Sequence, residues 1–287
     1  MTSDEWLNLF NLFNLFNLFN LFNLFNLFNL STRMMQPHID RYRVRSYECT
    51  PEGVLRAPEL LNYLQETASE NARVLGFDFP VIDEATGARG AWVLAQMRLR
   101  VDRYPRWRDT VLVDTFPWGA RALTANRDFA VSLEDGTPCA VATTRWMLID
   151  PATRKPVRLP PSVGAVDAGR EPVFGVPDAF SRLRWPDPPA AETPPQAYRV
   201  MRSQIDLNGH VNNVHYANWM LESVPAEEVR GLLVSECEIA FRSETLYGER
   251  VESCTASLGG GAFAHRVRPA GGGPDHILAR TQWRAFA

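Results

Sequence analysis

Two hydrophobic periodicities alternate along the chain from Tyr42 onward. After Pro58 the apolar residues follow a spacing that predicts one face of a helix, and Gly76 supplies a stop signal. From Trp92 to Asp102 apolar and polar residues alternate, which predicts a half-buried strand with the odd positions 93–101 on one face. The same alternation predicts further strands at about 110–116, 122–134 and 137–149.

A proline-rich stretch separates this pattern from a second copy of it. Residues 171–195 contain seven prolines, so they can form neither a helix nor a central strand, and we interpret them as an inter-domain connection. Beyond them the sequence predicts a short strand that ends near Ile205 and a helix from about Asn212 to Ser223. Strands return from Leu233 onward.

The two halves also resemble each other in detail. Residues 99–111 align with residues 239–251 at a constant offset of 140 positions, and each segment leaves a turn through an acidic residue. We therefore predict two copies of a helix-plus-antiparallel-sheet unit, at residues 36–170 and 196–287. A long apolar helix wrapped by a curved antiparallel sheet is the hot-dog arrangement, which is normally stable only as a pair. The predicted fold is α+β, a tandem hot-dog that forms this pair within one chain.

The N-terminal residues 1–35 fall outside this scheme. Residues 8–30 repeat the triplet Asn-Leu-Phe, a period that gives neither a helix nor a strand a lasting apolar face. The acidic residues Asp4 and Glu5 stand where a secretory signal would carry positive charge. We interpret this segment as a low-complexity extension, with the folded protein beginning near Met34 or Met35; a membrane-surface anchor is the functional alternative.

Composition excludes some classes of partner and favours one compartment. The net charge of −3 gives no basis for nucleic acid as a partner, and the interrupted apolar run disfavours a membrane span. The four cysteines show no metal-type spacing and no disulfide framework, which fits a reducing, cytoplasmic location. They are Cys49, Cys139, Cys237 and Cys254.

The candidate chemistry lies at the strand-to-helix junction of the second half. Asp206, Asn208 and His210 follow an i, i+2, i+4 spacing, which predicts three polar side chains on one side of an extended segment. The segment ends at a predicted helix N-terminus, whose free N–H groups can polarise a carbonyl oxygen. Such a set could orient a water molecule against a thioester.

A purely structural interpretation of the same residues stays open. Asp and Asn are ordinary turn and N-cap residues, and a single histidine often has only a structural role. The two halves nevertheless differ at this point. The equivalent junction of the first half, residues 50–56, contains neither Asn nor His, so the sequence equips one half for chemistry and leaves the other as scaffold.

Several motifs together resemble a known family. The run from Asp206 to Ser223 closely resembles the active-site segment of the plant and bacterial acyl-acyl carrier protein thioesterases. The likeness extends over about residues 36–287. In the first half the matching motifs, in order, are Trp92–Leu94, Arg103–Trp107, Arg127–Phe129 and Trp146–Asp150.

The resemblance implies a double hot-dog fold, acyl carrier protein as partner, and neither metal nor cofactor. It implies a catalytic set of Asp206, Asn208 and His210 with a glutamate on the following strand, here Glu244. Some family members carry a cysteine directly after that glutamate, whereas this chain has Thr245, which disfavours a cysteine nucleophile.

As a hypothesis, Glu244 and His210 activate a water that attacks the thioester carbonyl. Asn208 orients the water or the substrate, and Asp206 holds the network. Backbone N–H groups near Asn212 and Asn213 stabilise the oxyanion.

Other functions remain as alternatives. An acyl-CoA thioesterase or an enoyl hydratase could use a similar fold, and a hydratase pairs an Asp with a His at about the spacing of 206 and 210. A non-catalytic acyl-binding or carrier-binding protein is the alternative from another class, but it would not need all four polar residues. A homodimer also stays open as the oligomeric state.

Overall fold

One sheet of eleven antiparallel strands extends through both halves of the chain in the computed structural model. The structure describes residues 37–77, 81–82, 89–166, 168–175, 180–187 and 192–286. These residues belong to one compact unit, which spans residues 37–287. The Asn-Leu-Phe repeat, and with it the predicted extension 1–35, lies outside the described residues.

The described elements alternate as the hydrophobic pattern predicts. The helices are α1 (Ala57–Val74), the short α2 (Pro161–Gly164) and α3 (Asn213–Glu222). The strands of the first half are β1 (His38–Arg43), β2 (Val81–Ile82), β3 (Arg89–Val101), β4 (Thr110–Arg121), β5 (Thr124–Leu133) and β6 (Pro138–Ile149). Those of the second half are β7 (Gln196–Arg199), β8 (Leu233–Phe241), β9 (Arg250–Gly259), β10 (Ala262–Pro269) and β11 (Ile277–Arg284).

The strand order repeats itself in mirror image about the centre of the sheet. The order is β1-β4-β5-β6-β3-β8-β11-β10-β9-β7, with β2 paired to β3. The halves join where β3 pairs with β8, from Gln96 opposite Ala240 to Arg100 opposite Glu236. Helices α1 and α3 share one apolar core with both half-sheets. The predicted tandem hot-dog is therefore confirmed, while the predicted domain limits stay a prediction.

The ends of helix α1 coincide with two local sequence signals, a proline and a glycine. Pro58 occupies the first turn, where its missing N–H removes no intrahelical hydrogen bond. Gly76 adopts a φ of 78°, which only a residue without a Cβ atom reaches freely. The N–H of Phe77 then reaches back to the carbonyl of Ala72 at 2.8 Å, which satisfies an otherwise free carbonyl at the helix end.

Strand β3 departs from the predicted alternation. The sequence places all odd positions of 93–101 on one face, but a β-bulge lies between Leu94 and Gln96. Beyond the bulge Met97 and Val101 are buried in the core as predicted. Before it, Leu94 packs against that core instead, because the extra residue shifts the register by one position.

Two described parts of the proline-rich connection contact the sheet. The N–H of Val173 donates to Asp128 at 2.7 Å, and the hydroxyl of Ser181 donates to Glu238 at 2.8 Å. Among the described residues of 171–195 none belongs to a helix or a named strand, although Glu192 forms an isolated bridge with Ala256, and the role as an inter-domain connection stays a prediction. The following strand β7 ends at Arg199, earlier than the limit predicted near Ile205, because residues 202–204 form a 3₁₀ turn.

Candidate functional site

The segment from Asp206 to His210 is a closed turn, which contradicts the predicted extended conformation. The N–H of Asp206 donates to the carbonyl of His210 at 2.9 Å and so folds the chain back on itself. The N–H of Asn208 donates to the Asp206 carboxylate at 2.8 Å, a side-chain-closed turn typical of Asp. Gly209 completes the turn with a φ of 80°. The three polar side chains therefore do not share one side of a strand.

The turn brings His210 next to Glu244. Nε2 of His210 lies 2.9 Å from Oε2 of Glu244. Glu244 is not on the strand, as the sequence predicts, but follows the end of β8 at Phe241. The N–H of Val211 donates to the carbonyl of Thr245 at 3.0 Å, and this bond holds the two segments side by side.

The other predicted site residues take different places. Asp206 supports the turn through the N–H of Asn208. The Asn208 side chain is exposed, and within the described part of the chain it makes no hydrogen bond to His210 or Glu244. The structure therefore pairs two of the four predicted catalytic side chains directly and uses Asp206 to shape the loop that carries them.

The two predicted oxyanion donors, Asn212 and Asn213, have different roles at the start of helix α3. Asn212 is the N-cap, and its side chain accepts from the N–H of Val214 at 3.0 Å. Its own N–H donates to the carbonyl of Gln204 at 2.9 Å, so the prediction of Asn212 as an oxyanion donor is wrong. Asn213 is the first helical residue, whose N–H has no acceptor within the helix.

Thr245 and Tyr216 form a buried pair beneath the turn. The Tyr216 hydroxyl donates to the Thr245 hydroxyl at 2.7 Å, and both residues are nearly inaccessible to solvent. Burial raises the pKa of Tyr216 to about 12, so its hydroxyl keeps its proton at neutral pH. These two side chains fix the floor of the site.

The first half contains the same turn, with Thr50 and Glu52 in place of Asp206 and Asn208 and without a histidine. The N–H of Thr50 donates to the carbonyl of Val54 at 2.7 Å, and Gly53 has a φ of 74°. The N–H of Leu55 donates to the carbonyl of Pro105 at 2.9 Å, as that of Val211 donates to Thr245. Val54 thus takes the place of His210, and the residue before Pro105, a buried tyrosine, takes the place of Glu244.

A cavity reaches from α1 to the start of α3. Its empty space of about 350 Å³ includes space that is open to solvent. Asn213 and Val214 at the start of α3 form one wall, so the cavity ends beside the turn that carries His210. The first half supplies the rest of the lining, which is mostly apolar: Leu61, Leu64, Gln65, Leu94, Met97, Phe129, Thr144 and Trp146.

At the position equivalent to Phe129, the second half has a buried polar network around His265. Phe129 pairs across the sheet with Thr115, and His265 pairs in the same way with Thr255. The His265 ring is fully buried, with Nδ1 at 2.9 Å from the Thr255 hydroxyl and Nε2 at 2.8 Å from that of Thr281. Burial lowers its pKa to about 3. The position that lines the cavity in the first half therefore holds a buried imidazole in the second half.

Two contacts near the site were not predicted from the sequence. One is made by Glu244 and the other by its neighbour Ser243. Arg154, from the loop after β6, forms an ion pair with Glu244, and its Nη2 lies 3.3 Å from Nε2 of His210. Ser243 is held at 2.8 Å from Nδ1 of His276. No sequence signal links these residues, because Arg154 lies 56 positions from His210 and 90 from Glu244.

Three further observations concern possible metal ligands, the cysteines and the helices. No group of three or more His, Cys, Asp or Glu side chains that could hold a metal ion occurs in the described ranges. All four cysteines are free, and three of them are buried. Among the residues searched, no helix combines the length and apolar character needed to cross a membrane.

Comparison with known families and proteins gives a consistent result. The family model described as the acyl-ACP thioesterase N-terminal domain matches residues 36–166, and that of the C-terminal domain matches residues 189–285. A palmitoyl-acyl carrier protein thioesterase of Gossypium hirsutum is 30% identical over 261 residues, which cover 85% of this chain and 62% of the relative. Another from Cuphea hookeriana is 30% identical over 258 residues, 85% of this chain and 61% of the relative. The chain thus spans about three fifths of the length of these relatives.

Solved structures show the same fold. An acyl-ACP thioesterase from Bacteroides thetaiotaomicron is similar with a TM-score of 0.75 and 22% identity, over 86% of this chain and 98% of that one. The 12:0-ACP thioesterase from Umbellularia californica has a TM-score of 0.72 and 24% identity, over 87% and 98% of the two chains.

Proposed function

Because the chain belongs to the acyl-ACP thioesterase family, we propose that it hydrolyses the thioester that joins a fatty acyl chain to acyl carrier protein. The products are the free fatty acid and the carrier thiol, so the reaction ends chain elongation. The observation that carries the proposal is the His210–Glu244 pair, with 2.9 Å between Nε2 and Oε2. It stands beside a cavity with a mostly apolar lining, which the acyl chain would occupy.

In the proposed mechanism Glu244, helped by His210, takes a proton from a water molecule. The water oxygen attacks the thioester carbonyl carbon, and the thiol then leaves with a proton. Burial, and secondarily the charge of Arg154, lower the pKa of His210 below 6.5, so the ring is uncharged at neutral pH. Each Glu244 oxygen keeps a lone pair for water besides its protein contact.

Two further groups complete the proposed mechanism. The exposed Asn208 amide orients the water or the substrate, while Asp206 holds the turn. The N–H of Asn213, at the start of α3 and in the cavity wall, stabilises the negative charge on the carbonyl oxygen.

A covalent route through Thr245 has no support in the geometry. Its hydroxyl is buried and accepts a hydrogen bond from Tyr216 beneath the turn. It therefore lacks both access to a substrate and an adjacent base, which an activated hydroxyl nucleophile requires.

The assay that tests the proposed function compares three substrates with the purified protein. Acyl carrier protein thioesters, acyl-CoA and enoyl-CoA are offered side by side, and the release of free thiol and the hydration of the double bond are both measured. We expect thiol release, fastest from the carrier thioester, and its loss in His210→Ala. Faster release from acyl-CoA, or hydration without thiol release, would replace the proposal by one of those two activities. Binding of the acyl carrier without turnover would indicate a non-catalytic acyl-binding protein.

Substitution of Leu94 tests whether the cavity holds the acyl chain. Leu94→Phe reduces the space in the cavity, so kcat/KM for the longest accepted chain should fall by about 10-fold, and shorter chains should be affected less. A series of acyl carrier protein thioesters of graded length measures this change. Leu258→Phe, at an exposed position on β9, serves as the control. An unchanged chain-length profile in Leu94→Phe would exclude the cavity as the acyl site.

Substitution of two glycines in equivalent turns distinguishes an effect on stability from an effect on activity. Gly209→Ala and Gly53→Ala should each destabilise the protein by about 1 kcal/mol, because both positions have positive φ and a Cβ atom meets no neighbour at either. Only Gly209→Ala should also slow hydrolysis, because its turn carries His210. Urea unfolding and kcat measure the two effects. Equal activity of the two variants would contradict the role of this turn.

Location and assembly are part of the proposal. A cytoplasmic location is supported by the four free cysteines, which fit a reducing compartment, and cell fractionation tests it. The homodimer remains a prediction that the molar mass in solution decides.

A further inference from the structure

A loop of the first half, closed by four internal hydrogen bonds, reaches the site in the second half. It follows β6, and the carboxylate of Asp150 accepts hydrogen bonds from the N–H groups of Ala152 at 2.7 Å and Thr153 at 3.0 Å. The N–H of Arg154 donates to the carbonyl of Asp150 at 2.8 Å, and the N–H of Asp150 donates to that of Lys155 at 2.9 Å. These four bonds fix the direction in which the Arg154 side chain leaves the loop.

Arg154 adopts an unusual backbone conformation. Its φ is 59°, in the left-handed region that disfavours any residue with a Cβ atom. Arg108, with a φ of 74°, is the other non-glycine residue in this region among those the structure describes. Glycine would fit the loop better at 154, so the arginine is retained at a conformational cost, a pattern that is common at functional sites.

The Arg154 guanidinium contacts both members of the His210–Glu244 pair. Arg154 pairs with Oε1 of Glu244, while His210 approaches Oε2 at 2.9 Å. Nε2 of His210 must carry a proton to donate to Glu244, so it cannot also accept one from Arg154 at 3.3 Å. The hydrogen bond of the arginine therefore goes to the carboxylate, and its positive charge faces the ring.

We propose that Arg154 is a positioning residue that fixes the Glu244 carboxylate against His210 and so completes the site from the opposite half of the chain. This inference rests on the proposed function. It requires the two halves to act together, because the second half alone lacks the loop.

The charges around His210 predict how the site responds to pH. Burial lowers the pKa of His210 most, the positive charge of Arg154 lowers it further, and Asp206 raises it; Glu244 is its direct partner. Loss of Arg154 removes one of the two effects that lower the pKa of His210, so His210 binds a proton at a higher pH. A protonated His210 pairs with Glu244 and cannot assist it as a base, so the acidic limb of kcat/KM moves to higher pH.

The test compares Arg154→Gly, Arg154→Lys and Arg108→Gly in the full-length protein. Arg154→Gly should unfold at no lower temperature than the wild type, because glycine relieves the backbone strain. Its kcat should nevertheless fall by about 10- to 100-fold, with an unchanged KM for the acyl carrier.

Arg154→Lys retains the charge, so the acidic limb of its kcat/KM profile should stay near that of the wild type. Its kcat should recover only in part, because an ammonium lacks the planar fork of a guanidinium. Arg108→Gly, the matched control, should keep both kcat and pH profile.

Two results would overturn the inference. One is an Arg154→Gly variant with wild-type kcat and an unmoved acidic limb. The other is a higher KM with unchanged kcat, because it would make Arg154 a substrate-binding residue. NMR titration of His210 keeps the question separate from the proposed function. If the wild type releases no thiol, the proposed function fails, but a His210 pKa that is higher in Arg154→Gly still supports the positioning role, and an equal pKa removes it.

Discussion

Glu244→Gln should lower kcat for acyl carrier protein thioesters by about 10²- to 10⁴-fold while the protein remains folded. The amide matches the carboxylate in size, but it cannot take a proton from water and cannot form an ion pair with Arg154. Glu244 is 40% exposed and lies outside the strands, so its replacement disturbs no core packing. Steady-state hydrolysis at saturating substrate measures the change.

The control for this variant is the same substitution elsewhere in the second half. Glu236 lies on β8, is 48% exposed and pairs with Arg98 on the sheet surface. Glu236→Gln should therefore hydrolyse acyl carrier protein thioesters at nearly the wild-type rate. Near-normal turnover by Glu244→Gln would remove Glu244 from the role of base.

Acidification should destabilise the protein through the buried His265. In the unfolded chain its pKa is near the ordinary 6.5, whereas burial lowers it to about 3 in the folded protein. Between these two values the unfolded state binds a proton that the folded state does not. The free energy of unfolding therefore falls as pH decreases, by up to about 1.4 kcal/mol per pH unit from this residue. Above the unfolded pKa the contribution is constant.

Urea unfolding between pH 7 and pH 4 measures this slope, and His265→Phe isolates the part that His265 contributes. Phenylalanine occupies the equivalent position 129 of the first half, so the ring fits the architecture. The variant should be less stable at pH 7, because the Thr255 and Thr281 hydroxyls lose their partner, yet its stability should depend less on pH. His276, whose pKa is also lowered by burial, is present in both proteins and cancels in the difference. Equal slopes in the two proteins would contradict this assignment.

The features that the sequence predicts well are those with local causes. Helix α1 is coded by its apolar spacing and by Gly76, and α3 by Asn212 at its start. The offset of 140 positions between the halves reappears in equivalent hydrogen bonds to the carbonyls of Pro105 and Thr245. Each of these signals lies within a few residues of the structure that it specifies.

The features that the sequence did not predict depend on tertiary contacts. The turn from Asp206 to His210 is an exception, because its hydrogen bonds are local, but the spacing of the polar side chains fits a strand equally well. The bulge before Gln96 moves Leu94 into the cavity wall without any glycine or proline to announce it. Arg154 reaches Glu244 because β3 and β8 join the halves, a pairing that no single segment encodes.

In the proposed mechanism, water activated by Glu244 and His210 attacks the thioester without a covalent intermediate. Rapid-quench measurement of the intact mass of the protein during the first turnover distinguishes this route from a covalent one. We expect fatty acid to form while the protein keeps its unmodified mass at every time point. A transient increase by the mass of an acyl group, carried by Ser243 with His276 as its base or by any other side chain, would contradict it.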